Sequence, residues 1–148
     1  MAYKGKFQPT NPQKYDGDVT NIIYRSSWEL KFMRWLDLHP DVIKWSSEEF
    51  FIPYLSPIDG IIRRYYPDFK IKRRGADGKI ETLVVEVKPD KQTREPPVQK
   101  RKTRKYITEV YTWGINQAKW KAAAEYCADR GWGFKVFTEH DLGIIYNG

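Results

Sequence analysis

The apolar positions along the chain change their spacing several times, and each change marks an element. In SSWELKFMRWLDLHP, Trp28, Phe32, Trp35 and Leu36 recur at helical spacing, which puts them on one face of a helix. Ser26, three residues before Glu29, is a capping-box signature for its start, and Pro40 ends it by residue 38 or 39. VIKWSSEEFFIPYLSP then predicts one or two strands broken at Pro53 and Pro57. YYPDFKIKRR and IETLVVEVK flank GADGK, the pattern of a hairpin closed by an Asp-Gly turn. The second of these runs becomes nearly all apolar at LVVEV, as expected of a central strand covered on both faces.

Beyond residue 105, YITEVYTW fits a strand or a helix, whereas NQAKWKAAAEYCADRG predicts a helix stopped by Gly131. WGFKVFTE reads as a strand, and HDLGIIYNG as a short terminal element. Residues 1–23, with Gly5, Pro9, Pro12 and Gly17, predict an extended arm held to the surface by Tyr3, Phe7 and Tyr15. No internal repeat is present. Helix, hairpin, loop, helix and strand in that order describe an α/β protein with a mixed sheet, with one domain over residues 24–148 following the arm.

Composition supports that outline: 148 residues, 41% hydrophobic and 16% aromatic, suit a single core. Charge adds a direction. The net charge is +7 and the pI about 9.4, which points to a polyanionic partner, nucleic acid first. Residues 88–105, KPDKQTREPPVQKRKTRK, hold eight basic residues against two acids, almost the whole excess. Its Pro-Pro pair predicts a loop, with Lys91, Arg94, Lys100, Arg101, Lys102, Arg104 and Lys105 available to duplex phosphates without base reading. A solvated charged face is the alternative meaning of such a run. Lys70, Lys72, Arg73 and Arg74 of the hairpin widen the same basic surface.

A single cysteine, Cys127, excludes an internal disulfide and a multi-Cys zinc site and reads as a buried filler in its helix. The N-terminal stretch has no signal-peptide core, and no run approaches a membrane span, so the expectation is a soluble protein that is neither secreted nor membrane-bound. His39 and His140 have no partner at metal-ligand spacing. Trp28, Trp35 and Trp120 fall on apolar helical positions and read as core.

The chemistry-bearing residues lie in the hairpin. Alternation along the second strand puts Glu86 and Lys88 on one face, and the turn carries Asp68 to the neighbouring strand beside Glu86. Two adjacent carboxylates resist joint ionisation unless a cation lies between them. Carboxylate oxygens suit Mg²⁺, with Mn²⁺ as the alternative, hard ions that activate water and brace a phosphate. Lys88 would then stabilise the attacked phosphate or orient the water. A strand-end salt bridge is the simpler reading of the same residues.

YYPDF followed by VVEVKP resembles the PD-(D/E)xK nuclease superfamily, with Asp68, Glu86 and Lys88 on its motif. SSWELKFMRWLD resembles the TnsA-like endonuclease branch, whose helical Glu joins the metal site, and Glu29 is the matching position. The resemblance spans roughly residues 24–140. The KGKFQPTNPQKY arm and INQAKWKAAAEYC…FKVFTEHDL are similar to head completion proteins of T-even-like phages.

This resemblance implies a restriction-endonuclease-like fold, a central mixed sheet flanked by helices. It also implies Mg²⁺-dependent cutting of DNA to leave a 5′ phosphate, with Glu29, Asp68 and Glu86 as metal ligands. Gln117 matches a helical Gln that faces the site in related nucleases, and Lys121 shares its face; two solvated polar residues are the alternative. Glu29 can instead serve only as a helix cap. In a phage setting the resemblance implies processing of packaged DNA ends, with head or portal proteins as partners, in the virion head or the host cytoplasm. Two other readings remain: a catalytically silent structural protein of the head, and a transposase-type endonuclease subunit that cuts only with its partner.

Overall fold

The computed structural model describes residues 4–142. The arm is more than an extended strap. Strand β1 (Gly5–Lys6) pairs with β2 (Ile23–Tyr24), folding the segment back on itself around a 3₁₀ turn at Pro12–Lys14. Phe7, Tyr15 and Ile22 are buried in the main core; Tyr3 lies outside the described residues.

Helix α1 (Ser27–Leu38) starts where its cap predicts, with Ser26 Oγ accepting the Glu29 N–H at 3.1 Å. Its C-terminal carbonyls are closed from the arm. Lys14 Nζ donates to the carbonyls of Leu36, Asp37 and His39 at 2.9–3.0 Å, and the buried Asp37 carboxylate accepts the Thr10 N–H at 2.8 Å. A cation at the negative end of the helix satisfies acceptors that the helix itself leaves unpaired.

Strands β3 (Val42–Ser47), β6 (Phe69–Arg74), β7 (Ile80–Val87) and β8 (Gly133–Phe137) form one sheet in the order β3-β6-β7-β8. The first two pairings are antiparallel and β7/β8 is parallel. A parallel return needs a long crossover, and helix α2 (Arg104–Asp129) supplies it. The stretch YITEVYTW is therefore helical, the first turns of α2. Gly131, at φ 71°, ends that helix: the Trp132 N–H bonds the Cys127 carbonyl and the Gly131 N–H the Ala128 carbonyl, a Schellman closure.

Strands β4 (Ile52–Leu55) and β5 (Ile62–Tyr65) pair as a separate two-stranded ribbon. The break after β3 thus falls at residues 48–51, where Glu48 adopts φ 53°, and Pro53 sits inside a strand instead of ending one. A two-stranded ribbon has an open edge on each side, so a residue without an N–H is tolerated.

The sheet is covered on both faces. On one side Leu83 and Val85 of β7, with Phe69 and Ile71 of β6, pack with α1 residues Phe32, Met33 and Leu36. On the other, Ile52, Tyr54 and Tyr65 of the ribbon pack with Ala123 of α2 and with Phe134. This mixed α/β architecture, a central mixed sheet flanked by helices, matches the restriction-endonuclease-like fold. Cys127 is 1% exposed, and burial pushes its thiol up to about 11, as befits an inert filler. No helix among the described residues is long and apolar enough to cross a membrane.

Candidate active site

The site forms where β5, β6 and β7 meet under α2. The hairpin register sets Phe69 opposite Val85, so the next rung brings Asp68 beside Glu86. Asp68 Oδ2 accepts the Val87 N–H at 2.8 Å, which locks the carboxylate to the neighbouring strand. Val85 faces α1, so alternation turns Glu86 toward α2 and the ribbon, where it is 6% exposed. There the Tyr65 hydroxyl donates to Glu86 Oε2, and Lys88 Nζ lies 3.9 Å from Glu86 Oε1. The Val87 N–H thus anchors one oxygen of Asp68, while Glu86 has the Tyr65 hydroxyl on Oε2 and Lys88 beside Oε1.

Burial is the main force on these charges. It raises the Asp68 carboxyl well above its ordinary value, and the nearby Glu86 raises it further, while the Val87 N–H opposes the shift. Burial likewise raises Glu86 against the lowering influence of the Tyr65 hydroxyl and Lys88. A desolvated pair of acids is short of positive charge and gains from either a proton or a cation. This donor set, two adjacent buried carboxylates, fits a hard divalent ion.

Glu29 stands at the rim. Its Oε2 accepts the Arg25 N–H at 2.6 Å, so it closes the helix start by bonding the residue before the cap. Its carboxyl is nevertheless raised, first by burial, and its charge acts on Asp68. Among the described residues, Glu29, Asp68 and Glu86 are not a set with all ligand atoms within 4.8 Å of one another. Arg25 in turn grips both oxygens of Glu48 at 2.6 Å, and the Glu48 N–H reaches the Asp68 carbonyl at 3.3 Å.

Gln117 and Lys121 are exposed on α2. The residue that α2 turns toward the acids is Lys119, whose charge interacts with Glu86 and Asp68 and whose pKa is lowered by burial. Its Nζ lies 5.8 Å from the Tyr54 ring centroid and 5.6 Å from that of Tyr65. Gln117, two positions away, lies about 200° around the helix. Lys119 and Tyr65 were not evident from motif spacing. The available signal was weak: a lysine on the stripe of Asn116, Trp120, Ala123 and Cys127, and a tyrosine three residues before Asp68.

Of the basic residues expected in the loop, Lys91, Arg94, Lys100, Arg101 and Lys102 lie in it, whereas Arg104 and Lys105 belong to the first turn of α2; all are exposed, and a short 3₁₀ turn spans Asp90–Thr93. Arg94 pairs with Asp90 at 3.0 Å. His140, without a partner in local sequence, acquires two in the fold: ligand atoms of Asp90, Glu139 and His140 lie within 4.8 Å of one another. The parallel β7/β8 pairing causes this by carrying residue 90 and residue 139 to the same sheet end. Glu139 Oε1 there accepts the Asp90 N–H at 2.9 Å.

Comparison with known proteins bears on this geometry. A family model described as TnsA-like endonuclease N terminal matches residues 39–139. The chain is also similar to the head completion nuclease of Enterobacteria phage T4, at 40% identity over 149 residues that cover 98% of this chain and 97% of that protein.

Proposed function

The chain belongs to the TnsA-like endonuclease family, and from that premise we propose that it hydrolyses DNA phosphodiester bonds at the Asp68–Glu86 site with a divalent cation, Mg²⁺ or Mn²⁺. The observation that carries this reading is the buried acid pair at the strand ends, flanked by two lysines and desolvated enough that both carboxyls are raised. A surface salt bridge has no need of such burial, which costs stability unless a ligand uses it.

Asp68 and Glu86 would hold the ion, with the Val87 N–H and the Tyr65 hydroxyl fixing the orientation of the two carboxylates. The ion supplies charge against the attacked phosphate and acidifies water. Lys88 orients the attacking water or neutralises the phosphate, and Lys119 supplies a second cation from the α2 side, partly stripped of water and so stronger toward an anion. Glu29 would add a third carboxylate from the rim, where its Oε2 now accepts the Arg25 N–H. The basic loop, with Gln117 and Lys121 on the exposed face of α2, carries the duplex by its phosphates, largely without regard to sequence. Similarity along nearly the whole chain to a head completion nuclease supports action on packaged DNA ends in a phage head, among head or portal proteins.

The deciding experiment is cleavage of supercoiled plasmid with Mg²⁺ or Mn²⁺, comparing the wild type with Asp68→Ala and Lys88→Ala at matched DNA binding. Metal-dependent nicking lost in both variants is the expected result. Equal nicking by wild type and variants would remove the site from the chemistry.

A further inference from the structure

A cavity of about 450 Å³ opens between the basic loop and α2. Lys91, on its rim, follows Lys88 by three residues, and Asn116, in its wall, precedes Lys119 by one turn of α2. Pro96 and Pro97 line one side and Trp113 belongs to the helix side. Asn116 is 6% exposed, and its side-chain amide has no hydrogen-bond partner among the described residues. The amide is not among the fully enclosed polar atoms that lack a partner, so it is open to the cavity and available to a ligand's donor and acceptor. The lining is balanced in charge, Lys91 and Arg94 against Glu95 and Glu109, so the interior favours a neutral planar group, while anions are drawn to the loop outside.

We propose that this cavity receives one unpaired nucleotide of the DNA, its base stacked on Trp113 and its edge read by the Asn116 amide, so that the preferred substrate is DNA with a single-stranded end or gap. Aromatic rings take any base by stacking, and an amide offers a donor and an acceptor to a base edge. The cavity has the volume of a small-ligand site. The proposal rests on the nuclease reading for its choice of occupant, and names the form of DNA that the site selects.

The test is binding of the full chain, with EDTA present so that cutting does not intervene, to a blunt duplex and to the same duplex with a three-nucleotide overhang carrying 2-aminopurine. The overhang is expected to bind about tenfold more tightly, in line with the stacking of one base on an aromatic ring, with 2-aminopurine fluorescence quenched. Trp113→Ala brings the ratio of the two affinities toward one and abolishes the quenching, while Trp113→Phe retains both. Asn116→Ala keeps the preference for the overhang but evens out affinities among overhangs of different base. Equal affinity of wild type for blunt and overhanging DNA would overturn the proposal, as would a ratio unchanged in Trp113→Ala. Because the readout is a ratio of affinities without cleavage, it can fail while Asp68→Ala still abolishes nicking, and it can hold if nicking is absent.

Discussion

The Tyr65 hydroxyl donates its proton to Glu86 Oε2 inside the fold, and the tyrosine is itself 4% exposed. Burial and the Glu86 charge raise the phenol pKa, so the group stays a donor throughout the range in which the protein folds. Its bond to the carboxylate opposes the effect of burial on Glu86 and fixes the carboxylate so that Oε1 faces Lys88.

Removing that hydroxyl should therefore act on ion binding before it acts on the fold. In Tyr65→Phe the ring still fills its place, while Glu86 loses a hydrogen bond to its ionised form, about 1.5–3 kcal/mol in such settings. The Glu86 carboxyl then rises further, the acid limb of the cleavage profile moves to higher pH, and the apparent affinity for Mg²⁺ falls about tenfold or more. Cleavage measured against pH and Mg²⁺ concentration checks this. Unchanged acid limbs in the two proteins would show that Tyr65 does not tune the acid.

Stability should move against activity at Asp68. Raised carboxyls mean that the native state binds more protons than the unfolded chain, from the ordinary values of 3.8 and 4.5 upward. Their contribution is fully present below those values and is lost as pH rises through the native pKa values. The metal-free protein thus loses stability across that window, and Mg²⁺ restores more of it at higher pH, where it competes with fewer protons. Asp68→Asn keeps an acceptor for the Val87 N–H but carries no charge. It is expected to raise the metal-free melting temperature at neutral pH by about 3–6 °C, to flatten its pH dependence, and to abolish cleavage. Thermal unfolding from pH 4.5 to 8, with EDTA and with Mg²⁺, provides the comparison.

What was legible in the chain was what short-range geometry controls. Asp68 and Glu86 are joined by one tight turn, so alternation and an Asp-Gly signal suffice to bring them together, and the α1 cap is written in Ser26 and Glu29. Contacts across distant segments were not legible. Lys119 reaches the acids only because α2 crosses from the end of β7 back to β8, and the same crossover unites Asp90 with Glu139 and His140. Lys14 and Asp37 join the arm to the end of α1 through backbone groups that no side-chain pattern announces. Pro53 misleads for a related reason: its cost depends on whether its strand has an open edge, which is a tertiary fact.

Lys119 should leave its mark on the alkaline side. Burial lowers its pKa from 10.5 against the raising effect of Glu86, so it loses its proton earlier than a solvated lysine. If its charge faces the phosphate, cleavage declines at alkaline pH below the ordinary lysine range. Lys119→Met should cost about a hundredfold in rate with the apolar stem still packed on Tyr54 and Tyr65. Lys119→Arg retains charge and should lose the alkaline decline, whatever its absolute rate. A pH–rate profile of the three proteins, with binding measured separately, distinguishes this role from a packing role, which would show no change in the limb.

Binding by the loop predicts a salt dependence that can be counted. Lys100, Arg101 and Lys102 are exposed and form no ion pair among the described residues, unlike Arg94, which is held by Asp90. Lys102 Nζ lies 5.0 Å from the Tyr106 ring centroid, which tethers the loop to the first turn of α2. Each cation that neutralises a duplex phosphate contributes about −0.9 to the slope of log affinity against log salt. Replacing all three by alanine should therefore flatten that slope by about 2.7 and weaken duplexes of different sequence alike. The Arg94→Ala change should have a smaller effect, since its partner already screens it. A slope that stays constant in the triple variant would place the duplex elsewhere on the basic surface, with Lys70, Lys72, Arg73 and Arg74 of β6 the next group to replace.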